Sequence, residues 1–219
     1  MKPGILSTRK LTPSQRELLL NAGFSLVEKD FISIEPIDFS AEDLPKNLIF
    51  TSKNSVEIFH DKHPEEELKD RNIFCVGEKT AALLTSKGFS VKETQDYGAD
   101  LGRLIVEQYK DEEFVFFCGR KRNPDLPGYL RQHQVNFREI YLYDTRFTPS
   151  EIDRIFEGVL FFSPSGVQSF CSKNSLSGST AFCIGTTTAA EAQKHTRNIV
   201  LATKPTIESV IVQVIKHFG

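Results

Sequence analysis

The chain contains one short sequence pattern twice, about half a chain apart. Phe50–Phe59 reads FTSKNSVEIF and Phe161–Phe170 reads FFSPSGVQSF, with four of ten positions identical at an offset of 111 residues. A second pair follows, because Phe74–Leu84 (FCVGEKTAALL) and Phe182–Ala192 (FCIGTTTAAEA) share six of eleven positions at an offset of 108 residues. Similarity at a nearly constant offset is typical of duplicated structural units. We therefore predict two copies of one α/β unit, each about half of the chain.

The first pair of copies reads as a buried strand that passes directly into a helix. In the later copy, Ser163 can cap the helix and Pro164 suits its first turn, where no backbone N–H is needed. Arg9-Lys10 and Arg120-Lys121 form a third, weaker pair at the offset of 111 residues, each after an apolar run. The backbone N–H groups at the start of a helix carry partial positive charge, so such turns suit an anionic ligand.

Short apolar runs alternate with segments of helical periodicity along the whole chain. This alternation predicts an α/β fold of doubly wound parallel sheets. Phe31–Ile37 and Phe137–Tyr143 differ from the buried runs, because apolar and polar residues alternate in them, so we expect partly exposed strands or linkers there. Capping boxes that begin at Thr12 and at Thr148 predict that helices start at both places.

In such sheets, ligands bind beyond the carboxyl ends of the strands. The predicted strand ends carry hydroxyl, glycine and basic residues: Thr8-Arg9, Ser52-Lys53-Asn54, Gly77–Thr80, Gly119–Arg122, Ser163–Gly166 and Gly185–Thr188. Two interpretations of the hydroxyl residues stay open, since a helix cap stabilises the fold without a ligand and can also bind an anion. The basic residues are either solvated or paired with a ligand.

Composition argues against several classes of function. The formal net charge of −2 and the pI of about 6.2 give no overall field that would attract nucleic acid or an anionic membrane. No apolar run is long enough to span a membrane, and the N-terminus lacks the apolar core of a signal peptide, so we expect a cytoplasmic protein. The four cysteines form no CxxC pair, which favours reduced thiols and argues against a metal site. The lack of a GxGxxG motif or a P-loop argues against a nucleotide-sugar transferase.

Seven motifs, in chain order, resemble those of the uroporphyrinogen-III synthase family: TSKNSV, VGEKTA, FFCG followed by LP, IYLYDT, FFSPSGV, IGTTTA and KPT before the final helix. The similarity covers nearly the whole chain. It implies two α/β domains joined by a pair of strands, with the active-site cleft between the domains. One domain would comprise residues 1–34 and 146–219 and the other residues 37–142, with residues 31–37 and 140–146 as the linker strands.

The resemblance implies a lyase of heme biosynthesis that cyclises the linear tetrapyrrole hydroxymethylbilane to uroporphyrinogen III, with loss of water and inversion of ring D. It implies no metal and no organic cofactor. It also implies a monomer, and it leaves open a transient contact with the preceding enzyme of the pathway. The candidate acid is Tyr143 in the YDT motif, since a neutral phenol can protonate the leaving hydroxyl. Tyr141 lies two residues away on the same predicted strand face and could substitute for it.

The substrate carries many carboxylates, and the family motifs and strand ends together supply candidates to bind them. The predicted substrate-binding residues are Arg9, Ser52, Lys53, Asn54, Thr80, Arg122, Ser163, Ser165, Gly166, Thr187 and Thr188. For Tyr143, the alternative is a packing role in the linker strand. For the whole protein, the alternative is a non-catalytic two-domain module that binds or senses a small ligand, and Tyr143 in its motif argues against it.

Overall fold

The computed structural model describes residues 3–63 and 70–219. Its strands, in chain order, are β1 Gly4–Ser7, β2 Ser25–Glu28, β3 Ile32–Pro36, β4 Asn47–Phe50, β5 Asn72–Val76, β6 Val91–Gln95, β7 Glu113–Gly119, β8 Asn136–Phe147, β9 Gly158–Phe161, β10 Thr180–Cys183 and β11 Ile199–Leu201. Its helices are α1 Pro13–Asn21, α2 Lys53–Lys62, α3 Glu78–Ser86, α4 Gly98–Gln108, α5 Asp125–Gln132, α6 Pro164–Cys171, α7 Thr186–Ala192 and α8 Ile207–Phe218. Strands and helices alternate along most of the chain, as the sequence pattern predicts.

The chain divides into two compact units: Met1–Ser33 with Arg146–Gly219 form unit 1, and Ile34–Thr145 form unit 2. The chain passes from one unit to the other within β3 and within β8. Unit 1 contains a sheet of order β11-β10-β9-β1-β2, and unit 2 contains a sheet of order β3-β8-β7-β4-β5-β6. Apart from β3, every strand pairs with its neighbours in parallel.

The two sheets contain the same structural unit. β9 and α6 begin 111 residues after β4 and α2, and β10 and α7 begin 108 residues after β5 and α3. The repeated strands also take the same places, since the order β11-β10-β9-β1-β2 in unit 1 corresponds to β6-β5-β4-β7-β8 in unit 2. The predicted α/β fold of two duplicated, doubly wound units is therefore confirmed.

Each sheet has one point where the order of its strands reverses. In unit 2 the chain adds β5 and β6 on one side of β4, and then adds β7 and β8 on the other side. In unit 1 the equivalent reversal lies between β9 and β1. The helices that follow two such neighbouring strands leave to opposite faces of the sheet, which opens a crevice at the carboxyl ends.

Both faces of each sheet are covered by helices. In unit 2, Phe59 of α2 packs on Phe117 of β7 with ring centroids 4.4 Å apart, and α4 and α5 cover the opposite face through Leu101, Ile105, Leu126 and Leu130. Unit 1 repeats this arrangement, with Val167 and Phe170 on one face and Val210 and Val214 on the other. Burial of each such side chain stabilises the fold by about 1.5–3 kcal/mol.

Side-chain caps fix the starts of several helices. Thr12 forms the predicted capping box with Gln15 at the start of α1. Ser163 Oγ accepts the N–H of Gly166 (3.1 Å) at the start of α6, and Pro164 occupies the first turn. Each cap satisfies a backbone N–H that has no partner within its own helix.

The capping box predicted at Thr148 is wrong, because the chain that follows it forms no helix. The Thr148 hydroxyl donates to the carbonyl of Asp30 (3.0 Å), and its N–H donates to the carbonyl of Phe31 (3.0 Å). Asn174 further along the chain donates to the carbonyl of Ser150 (2.8 Å). The Thr148 N–H, which a capping box would give to the side chain of Glu151, is thus bonded to Phe31 instead, and the segment is tied to distant residues.

The helices are short, and α8, with 12 residues, is the longest in the described part of the chain. Across residues 3–63 and 70–219, none combines the length and the apolar character that crossing a membrane requires.

We predict that Ser163→Ala lowers the free energy of unfolding by about 1 kcal/mol, because the N–H of Gly166 loses its acceptor. Ser165→Ala is the matched control, since Ser165 is the second residue of the same helix and does not cap it. Its expected effect is within about 0.5 kcal/mol. Urea unfolding followed by circular dichroism measures both. Equal midpoints for the two variants would show that the cap contributes nothing.

Candidate functional site

A cavity of about 310 Å³ lies at the strand-order reversal of unit 2. Thr51 and Ser52, directly after β4, form one wall, and Cys118 and Gly119 at the end of β7 form another. Further lining residues include Arg122, Tyr143 and the first residues of α4 and α5. Of the residues predicted from the strand ends of unit 2, Ser52, Gly119 and Arg122 line this cavity, which lies where such sheets bind ligands. Lys53, Asn54 and Thr80 are not among its lining residues.

Tyr143 reaches across the end of the sheet to contact residues of two other strand ends. Its side chain is buried, with 8% of the residue exposed, and its hydroxyl donates to Ser52 Oγ (3.3 Å). Its ring lies against Gly119, where an added Cβ would stand 2.6 Å from Tyr143 Cζ. Such a distance is far below van der Waals contact, so only glycine at position 119 leaves room for this ring.

A shift in strand register directs Tyr143 to this place. β7 and β8 pair in regular steps as far as Cys118 with Tyr141, and then Gly119 pairs with Tyr143. Irregularities of this kind re-aim side chains and are frequent beside functional sites. As a result, the consecutive residues Leu142 and Tyr143 pack into the same core cluster.

The prediction that Tyr141 shares a face with Tyr143 is wrong, and with it goes the structural reason for expecting Tyr141 to substitute for Tyr143. Tyr141 is 37% exposed, and its ring lies under the guanidinium of Arg122, with the carbon atom of that group 5.6 Å from the ring centre. The register shift breaks the alternation of sides on which the prediction depended.

Ser52 has two bonds at once. Its Oγ accepts the N–H of Asn54 (3.2 Å), which caps α2, and it accepts the hydroxyl of Tyr143 (3.3 Å). No acceptor for the proton of Ser52 itself occurs in residues 3–63 and 70–219, so that proton can be donated to a ligand. Lys53, the first residue of α2, is exposed beside it.

Arg122 lines the cavity and is held by a carboxylate that the sequence reading missed. Its Nε and Nη2 both donate to Glu139, with Nη2 2.7 Å from Glu139 Oε2, and Arg131 donates to the same carboxylate. Burial acts to lower the pKa of Arg122, but the bonds to Glu139 outweigh burial and raise it. The alternation of apolar and polar residues along FREIYLY could have indicated this carboxylate, because it places Glu139 and Tyr141 on the same side of β8.

In unit 1, the equivalent strand ends bring Thr8, Ser163 and Gly166 together. A Cβ on Gly166 would lie 3.4 Å from Ser163 Oγ and 3.7 Å from Thr8 Oγ1. The buried Thr8 hydroxyl donates to the carbonyl of Leu160 (2.7 Å), which joins the ends of β1 and β9. Arg9 is exposed beside Thr8, and its guanidinium has no partner within the described residues.

The threonines of the second repeated motif do not cap their helices. Thr80 and Thr188 are the buried third residues of α3 and α7, whose N-cap positions are Gly77 and Gly185. Neither helix has a side-chain cap, so the capping interpretation is wrong for both threonines. Thr187, the second residue of α7, is exposed at the end of β10, and Ser165 is half-buried at the end of β9.

The cysteines offer no nucleophile at ordinary pH. Burial, together with the charge of Glu139, raises the pKa of the Cys118 thiol to about 12, although Cys118 lines the cavity. Burial raises the pKa of Cys183 to about 12 and that of Cys171 to about 11. Among the described residues, no group of three or more His, Cys, Asp or Glu side chains is arranged to hold a metal ion.

A family model and a curated relative both indicate the same family for this chain. A family model described as "Uroporphyrinogen-III synthase HemD" matches residues 14–212. A curated relative, the porphyrin biosynthesis protein HemD of Ruminiclostridium josui, is 26% identical over 257 aligned residues, which cover 100% of this chain and 50% of the relative. The chain therefore spans about half the length of that relative.

Solved structures share the fold. The crystal structure of uroporphyrinogen-III synthetase from Helicobacter pylori 26695 aligns with a TM-score of 0.74 at 18% identity, over 99% of this chain and 100% of that chain. A mutant uroporphyrinogen III synthase from the extremely thermophilic bacterium Thermus thermophilus aligns with a TM-score of 0.62 at 14% identity, over 98% of each chain. At these identities the likeness supports the fold alone.

We predict that Gly119→Ala lowers the free energy of unfolding by about 1–3 kcal/mol, because the new methyl group overlaps the ring of Tyr143. Gly185→Ala is the comparison, since Gly185 lies just beyond β10 and a Cβ there meets nothing within 4 Å. Its only expected cost is the weaker capping of α7 by alanine, up to about 1 kcal/mol. Urea unfolding measures both variants. If Gly119→Ala is as stable as Gly185→Ala, the Tyr143 ring is not held against Gly119.

Proposed function

The chain belongs to the uroporphyrinogen-III synthase family, and we propose that it converts hydroxymethylbilane into uroporphyrinogen III, with loss of water and inversion of ring D. The observation that carries this proposal for the present chain is the placement of Tyr143. Tyr143 lines the cavity at the strand-order reversal of unit 2, and its hydroxyl donates to Ser52. This position supports the proposal, because doubly wound sheets bind their ligands there.

In our proposal, strand ends of both units bind the carboxylate arms of the substrate. Helix N-termini bind carboxylates without a large basic patch, each contributing about 0.3–1 kcal/mol. This suits a chain with a formal net charge of −2. In unit 2 the proposed contacts come from Ser52, Lys53, Asn54, Thr80 and Arg122. In unit 1 they come from Arg9, Ser163, Ser165, Gly166, Thr187 and Thr188.

We propose that Tyr143 donates its proton to the hydroxyl that leaves the substrate. The C–O bond breaks, water departs and an electrophilic azafulvenium cation remains. The hydroxyl of Ser52, which accepts from the phenol in the free protein, can rotate and donate to the phenolate oxygen that forms. The buried position of Tyr143 strengthens this bond by excluding water.

The remaining steps depend on how the bound substrate is positioned. Ring D attacks this cation through a ring D carbon that already carries a substituent, which gives a spiro intermediate. This intermediate reopens and closes again with ring D inverted, and the proton that ring D loses in the last closure restores the phenol. Preventing direct closure is a matter of positioning, which can supply much of the rate.

We further propose that units 1 and 2 are the two domains of the family, and that the protein acts as a monomer in the cytoplasm. The free thiols of Cys75, Cys118, Cys171 and Cys183 support this location, since reducing compartments keep thiols unpaired.

The test of the activity is an isomer assay. The purified protein is incubated with enzymatically generated hydroxymethylbilane, the products are oxidised, and the uroporphyrin isomers are separated by chromatography. We expect type III to dominate. Type I alone, the product of unassisted closure, would refute the proposed activity.

We predict that Tyr143→Phe lowers the rate of type III formation by about tenfold or more, because the leaving hydroxyl loses its proton donor. The ring and its packing against Gly119 are retained, so the unfolding midpoint should change little. Tyr141→Phe is the matched control and should retain near-normal turnover, because Tyr141 lies outside the cavity lining. Full activity of Tyr143→Phe would remove this phenol from the mechanism.

A further inference from the structure

The cavity of unit 2 is lined by charges of both signs. Among the described residues that line it, Arg122 is the cation, while Asp96 and Asp125 are carboxylates. Asp125 is bonded to Asn123, and Asp96 has no partner in the described part of the chain. A carboxylate arm that enters this cavity therefore meets two like charges and only one opposite charge.

The bonds of Arg122 leave part of its guanidinium available. Glu139 is bound by Nε and Nη2, so the Nη1 amino group has no partner within the described residues. The side chain of Arg122 is 20% exposed, against 8% for Glu139, which places the bonded carboxylate deeper than the cation. The ring of Tyr141 lies against the guanidinium and limits its movement further.

Arg122 and Glu139 by themselves form a neutral pair, which attracts an anion only weakly. Arg131 of α5 changes this balance, because it donates to the same carboxylate from a position outside the cavity lining. The three side chains together carry a net charge of +1. The Arg131 guanidinium also lies 5.4 Å from the centre of the Phe137 ring, and this cation–π contact adds to its bond with Glu139.

We propose that Arg131 and Glu139 are positioning residues that make Arg122 a binding site for one carboxylate arm of the substrate. Glu139 fixes the guanidinium of Arg122 and leaves the Nη1 amino group free to bind a ligand in the cavity. Arg131 offsets the negative charge of Glu139, so that the cluster attracts an anion. The proposal rests on the function proposed above for its substrate. It assigns roles to two residues that do not need to touch that substrate.

The test varies the charge of this cluster in steps. Arg131→Met keeps the apolar contact with Phe137 but lowers the net charge from +1 to 0, so KM for hydroxymethylbilane should rise about threefold to tenfold with kcat within about twofold. The double variant Arg131→Met with Glu139→Gln returns the net charge to +1. Its KM should return to within about twofold of the unmodified protein, because the remaining amide oxygen still accepts from Arg122 and holds the guanidinium in place.

Arg103→Met is the matched control. Arg103 lies on α4 in the same unit, has the same exposed fraction of 59%, and pairs with Asp100 away from the cavity lining. Its loss changes the net charge of the protein equally, so its KM should stay near normal. Equal KM values for Arg131→Met and Arg103→Met would overturn the proposal. A raised KM that the double variant fails to restore would also overturn it, since a structural defect and not charge would then be responsible.

A binding measurement separates this inference from the proposed activity. Uroporphyrin III, a stable polycarboxylate, is titrated into each variant, and binding is followed by the porphyrin fluorescence. We expect Kd to follow the same order as KM. If the unmodified protein forms only type I isomer while Kd still follows the cluster charge, the activity fails and the carboxylate site stands. If type III forms but Kd does not change with the charge of the cluster, the proposed carboxylate site is refuted and the proposed activity is not.

Discussion

The parallel pairing of β4 with β7 is the interaction on which the candidate site of unit 2 depends. Both strands lie in the middle of their sheet and are buried on both faces, with Phe50 opposite Phe117 in the register. Because the strand order reverses here, α2 packs on one face of the sheet and α5 on the other. The two helices cannot close the carboxyl edge between them, so the cavity is a direct consequence of strand order.

Divergence of the two copies explains why the phenol is found in only one of them. Gly119 and Thr8 occupy the same repeat position, 111 residues apart. In unit 1 the Thr8 hydroxyl bonds across to Leu160 and joins the two strand ends. In unit 2 the glycine leaves that space to the ring of Tyr143, which makes its own link to Ser52. One side chain at an equivalent turn thus separates a structural joint from the place where Tyr143 lines the candidate cavity.

The polyanion binding proposed for this weakly acidic protein depends on local charge. The formal net charge of −2 supplies no long-range attraction, so the helix N-termini and a few guanidinium groups must act at short range. Arg122 is a partly buried cation in the cavity of unit 2, and its neighbours stabilise it there. Glu139 removes the cost of leaving it unpaired, and a second arginine keeps the cluster positive.

The sequence by itself determined the duplicated α/β unit, the caps at Thr12 and Ser163, and the placing of polar residues at strand ends. These features depend on periodicity and on contacts between residues close in the chain. The tertiary structure decided the pairing of Arg122 with Glu139, the register shift that separates Tyr143 from Tyr141, and the loss of the helix expected after Thr148. Each of these depends on which strands become neighbours and in what register, and that is settled by packing across the sheet, which no local pattern records.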